Sequence, residues 1–135
     1  MTNNATSLLG TALLMNAVFS GVTGLACLLF ADTIVPWTGI ASWILYALGV
    51  GLLIFAADVA FTATRAPINL VFAKLIIVSD AAWVVGSILL LIFFSGLLTF
   101  NGQLIVELIA IIVAVFATVQ SVGVSRLTRS GAQTA

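Results

Sequence analysis

Four uninterrupted apolar runs, each twenty or more residues long, constrain this chain more than any other feature. An α-helix needs about 20 apolar residues to cross a hydrocarbon core roughly 30 Å thick, and the runs at 4–31 (counted from 8 if the polar start is left out), 40–63, 68–94 and 104–124 all meet that length. The breaks between them carry helix-stopping residues. Pro36 and Gly39 lie in 32–39, Arg65 and Pro67 in 64–67, and Gly96, Asn101 and Gly102 in 95–103. Membrane β-barrels show alternating segments of about ten residues instead, and an open sheet would leave backbone groups unpaired in lipid. The pattern predicts an all-α polytopic membrane protein, a single domain over 1–135. Its short connections make it an antiparallel four-transmembrane-helix bundle.

Composition removes several functional classes. Hydrophobic residues make up 63% of the chain and charged ones 6%, too few to cover a water-soluble surface. Net charge is zero, and Arg126 and Arg129 are the longest approach to a basic cluster, so nucleic acid is not an expected partner. There is no histidine and Cys27 is the single cysteine, which excludes an intramolecular disulfide, a CxxC redox centre and most transition-metal sites. No metal and no cofactor are expected. Gly24-Leu25-Ala26 before Cys27 resembles a lipoprotein cleavage box, but no basic residue precedes Arg65 to form a signal n-region. Cys27 therefore reads as a small buried apolar thiol.

Positive residues near span ends collect on the cytoplasmic side. Arg65 lies in the second connection, and Arg126 and Arg129 follow the fourth run. With four spans these share one side with the N-terminus, which predicts cytoplasmic termini in a multi-pass cell-membrane protein. Asp32 and Glu107 then fall at the outer face, flanked by Trp37, Trp43 and Phe100 at headgroup level. Small residues four apart let helices approach closely in lipid. Ala17 with Gly21, Ser20 with Gly24, and Ala47 with Gly51 read as such packing positions within the bundle.

Polar groups inside the bilayer are costly and mark candidate sites. Asp80 lies near the midplane of the third run, where a neutral, hydrogen-bonded carboxyl is expected, with Asn16 as a bonding partner across the bundle. Its two readings are a proton or cation site and a structural bundle contact. Asp58 and Lys74 each stand eight residues from Ala66, at equal depth in a hairpin. That depth permits an ion pair, unless Lys74 snorkels to the headgroups. Gln120 lies at similar depth, so Asp58, Lys74 and Gln120, with Asn16 and Asp80 deeper, form a candidate polar layer. Trp83 is too deep for an interfacial belt and reads as a core aromatic or a ligand wall.

Placing Asn16 over Asp80 also aligns Thr23 with Ser87, Leu25 with Leu89 and Phe30 with Phe94, and after one gap Trp37-Thr38-Gly39 with Phe100-Asn101-Gly102. Such an alignment suggests two parallel two-helix repeats, although the second halves align poorly. Small multidrug transporters and fluoride channels share the span count, but the former carry a glutamate in a first span that is uncharged here, and the latter lack one-sided arginines. The leading expectation is a non-enzymatic protein that packs with itself or joins a larger membrane assembly, the lipid bilayer being its surroundings. The alternatives are a small oligomeric proton- or cation-coupled transporter or channel using Asp80, and a lipid- or quinone-binding protein.

Overall fold

A computed structural model describes the backbone of residues 2–134 and the side chains of 7–129. The chain is all-α: α1 (Thr2–Leu29), α2 (Ala31–Thr38), α3 (Ser42–Thr64), α4 (Leu70–Phe93) and α5 (Phe100–Thr134), with a 3₁₀ turn at Ser95–Leu97. Four of these are long and apolar enough to span a membrane: Ser7–Leu29, Ser42–Thr64, Leu70–Phe93 and Phe100–Arg129. At about 1.5 Å per residue, the 23 residues of α3 reach roughly 34 Å, enough to cross with a modest tilt. The protein is thus a multi-pass integral membrane protein built as an antiparallel bundle.

The break at 32–39 is not a plain loop. It holds α2, with Pro36 inside it and Gly39 ending it in the left-handed conformation at φ 80°, its N–H bonded to Val35 O. At Gly39 a Cβ would sit 2.9 Å from Leu97 O, so only glycine fits both the backbone angle and the neighbour. Close by, Thr99 N donates to Thr38 O at 3.0 Å, Thr99 Oγ1 donates to Trp37 O, and Gly102 lies so near Thr38 that a Cβ there would collide with its carbonyl. The connections after α1 and after α4 are thereby locked together at one end of the bundle. At the other end the α3–α4 connection is short because Asn69 restarts the helix at once, its Oδ1 accepting from Val71 N at 2.9 Å and Phe72 N at 3.3 Å.

In packing order the helices run α3, α1, α5, α4. Small residues bring α1 against α3: a Cβ on Gly24 would lie 3.0 Å from Gly49 O, and one on Gly21 3.7 Å from Ala56 Cβ. Gly123 brings α5 equally close to α1 at Leu9. Leu9, Leu13, Ala17, Val59, Ala73, Ile76 and Val124 fill the bundle at the end that bears the α3–α4 connection. Cys27 packs into a smaller cluster with Ala31 and Leu45 toward the opposite end. Two helices break the ring. α3 and α4 meet near their connection and then diverge, leaving a lateral cleft between them. Ala47 and Gly51, which read as packing positions in the sequence, line this cleft, and a Cβ on Gly51 would meet nothing within 4 Å. Their spacing matched helix contact, but the face they occupy points into the gap.

Candidate functional site: a polar floor beneath an apolar cleft

α4 carries Asp80 ten residues after its start at Leu70, about 15 Å along the helix axis and so close to mid-membrane depth. The residue is 4% exposed. Asn16 Nδ2 on α1 donates to Asp80 Oδ2 at 2.8 Å, and Gln120 Nε2 on α5 donates to the same oxygen at 3.0 Å. Ser20 Oγ, one turn beyond Asn16, donates to Asn16 Oδ1 at 3.1 Å. A single carboxyl thus ties three helices together, with Asn16 and Gln120 fully enclosed at 1% and 0% exposure. In apolar surroundings each of these contacts is worth roughly 0.6 to 2 kcal/mol.

Above this network lies a cleft of about 580 Å³. Its aromatic walls are Phe19 of α1, Trp43 and Phe55 of α3, and Trp83 of α4; aliphatic and small residues of α3 and α5 complete it, and Ser20, Thr23, Ser79 and Asp80 supply its polar edge. That volume falls within the roughly 300–1,000 Å³ of small-molecule sites, which pair an apolar lining with a few convergent polar groups. Among the described residues two side-chain atoms are buried without a hydrogen-bond partner: Trp83 Nε1, a donor, and Gln120 Oε1, an acceptor on the amide that bonds Asp80. Asp80 Oδ1 accepts no hydrogen bond, and Thr23 makes no back-bond to the preceding turn of the kind Ser79 makes to Leu75 O. Buried polar groups without a partner are rare and call for an explanation.

The structure therefore brings together Asp80, Asn16, Gln120 and Trp83 of the candidate residues, and separates Asp58 and Lys74 from them. Asp58 and Lys74 are both exposed, and no salt bridge joins them. Their equal spacing from Ala66 does not bring them together, because the faces diverge. On α3 the inward stripe runs through Ala56, Val59 and Thr62, and on α4 through Ala73, Ile76 and Asp80, so Asp58 and Lys74 fall off both stripes. Gln120 does not belong to a shallow layer with them; it meets Asp80 directly. Ser20 enters the network as a hydrogen-bonding residue that its small size alone had assigned to packing, and its position one turn from Asn16 was the available signal. Phe19, Thr23 and Phe55 were not distinguishable in sequence from ordinary bundle residues. No three metal-ligating side chains cluster among the described residues.

No family model, curated protein or solved structure matches this chain.

Proposed function

We propose that this protein is a non-enzymatic membrane protein that binds an amphiphilic small molecule of the bilayer, admitted sideways between α3 and α4. One observation carries the reading: the cleft of about 580 Å³ is walled by apolar and aromatic side chains and has at its polar edge Asp80, whose Oδ1 accepts no hydrogen bond within the protein. Its lateral opening suits a molecule that partitions into lipid rather than one arriving from water. A permeation route through the bundle is less well supported, because Leu9, Leu13, Val59, Ile76 and Val124 fill the interior between Asp80 and the arginine-bearing end. The three arginines on that end support cytoplasmic termini in a cell membrane.

Purification in mild detergent, with native mass spectrometry of the full chain and of Gly51→Leu, tests the reading. Leucine at 51 projects into the open cleft and narrows it, since a Cβ there meets nothing within 4 Å. A small molecule retained by the native chain and lost from Gly51→Leu is expected; identical spectra would overturn the proposal. For the topology, a cysteine in place of Ser130 should resist an impermeant thiol reagent added to intact cells, and labelling from outside would reverse the orientation.

A further inference from the structure

We infer that the molecule taken by the cleft is a neutral quinone-class amphiphile, with its carbonyl oxygen received at the floor by Asp80 and its ring held between the aromatic walls, Trp83 among them. This deepens the proposed function and rests on the cleft being a ligand site.

The direction of the hydrogen bonds decides the head chemistry. Asp80 Oδ2 already accepts from Asn16 and Gln120, which occupies both of its lone pairs. A neutral carboxyl at this position therefore carries its proton on Oδ1, where it is a donor on the cleft side. Among the described residues no lysine or arginine lines the cleft to compensate an ionised carboxyl. Trp83 lies three residues further along α4, on the same helix face, and its ring lines the cleft while its indole N–H is enclosed. An unfilled carboxyl donor selects an acceptor oxygen. It disfavours a cationic or amine head.

Depth excludes the commonest lipids. The floor lies about 15 Å along α4, near the middle of a hydrocarbon core roughly 30 Å thick, whereas a phospholipid keeps its phosphate and ester groups at the interface. A quinone head is neutral enough to reach that depth. Its planar ring also matches Phe19, Trp43, Phe55 and Trp83, since aromatic faces stack on flat rings. A helix from a second copy fits poorly, because a helix about 10 Å wide takes up roughly 400 Å³ per turn, so about 580 Å³ holds little more than one turn.

The test uses the full chain in nanodiscs of palmitoyl-oleoyl phosphatidylcholine, carrying Trp37→Phe and Trp43→Phe so that Trp83 is the sole indole. Decyl-benzoquinone is titrated against Trp83 fluorescence, and decylbenzene, which lacks the oxygens, serves as competitor. A saturable component of quenching is expected, unrelieved by decylbenzene and lost in Gly51→Leu. Asp80→Asn should bind within about threefold of the parent, since its amide oxygen can accept from Asn16 and Gln120 while its N–H₂ keeps a donor toward the cleft. Asp80→Leu should bind about tenfold more weakly, having no donor. Thermal unfolding of each variant identifies any that fails to fold, and the isosteric Asp80→Asn remains decisive if Asp80→Leu does not. Absence of a saturable component, or loss in Asp80→Asn equal to that in Asp80→Leu, overturns the inference. A parallel arm replaces the lipid with chain-brominated phosphatidylcholine. Quenching of Trp83 that Gly51→Leu relieves, without saturable quinone binding, leaves the cleft as a lipid site and removes the quinone. Insensitivity to Gly51→Leu in both arms removes both readings.

Discussion

Two helix pairs that the offset pairing of Asn16 with Asp80 makes equivalent behave differently: α1 with α5, and α4 with α3. Under that pairing α1 corresponds to α4 and α3 to α5, and Asn16 and Asp80 hydrogen-bond to each other where the halves meet. The α1–α5 crossing is closed, with Gly123 seated on Leu9. The α3–α4 crossing closes only near its connection, and Ala47 and Gly51 face open space beyond it. The difference follows from what each crossing has at its contact face. Gly123 lets backbones approach within van der Waals distance, whereas the bulky side chains of Phe55 and Trp83 line the gap at the other crossing. Among the described residues no other helix fills the gap, so the divergence of α3 and α4 becomes a cavity.

The closed contacts should be the least tolerant of added volume. Gly102→Ala places a methyl against the Thr38 carbonyl and should cost about 2–3 kcal/mol or prevent folding, and Gly123→Ala, whose Cβ would lie 2.9 Å from Leu9 Cβ, about 1–3 kcal/mol. Thermal unfolding in detergent reads both, and wild-type stability in Gly123→Ala would mean that α1 and α5 are not closed. The floor comes next. Asp80→Ala leaves the Asn16 and Gln120 amides unpaired and should cost about 1–3 kcal/mol, while Asp80→Asn should cost under about 1 kcal/mol. A double-mutant cycle of Asn16→Ala with Asp80→Ala should give a coupling of roughly 0.6–2 kcal/mol; a coupling near zero would uncouple the two halves.

Weaker still is the effect of the exposed charges. Because Asp58 and Lys74 make no ion pair, Asp58→Asn and Lys74→Gln should combine additively to within about 0.5 kcal/mol, and a larger coupling in the cycle would bring their faces together. At the open crossing the sign reverses. Gly51→Ala meets nothing within 4 Å and gains helix propensity, so it should be neutral or stabilising by up to about 1 kcal/mol. Destabilisation there, seen in the same unfolding assay, would show that α3 and α4 pack as tightly as α1 and α5.

Span number, span length and antiparallel order were legible in the residues because lipid leaves an apolar run little choice: its backbone must bond within the segment, and about 20 residues set the thickness. The same constraint made Asp80 and Asn16 conspicuous, since a polar side chain in hydrocarbon needs a partner. Which partner it finds depends on rotation about each helix axis, and in a helix that is apolar all round no polar face records that rotation. For this reason the equal depth of Asp58 and Lys74 did not make a pair, Gln120 joined Asp80 instead of a shallower layer, and Ala47 and Gly51 turned to a gap instead of a contact. The helix α2 at a proline-containing break, and the cleft itself, arose only from how the connections lock one end of the bundle while α3 and α4 diverge from the other.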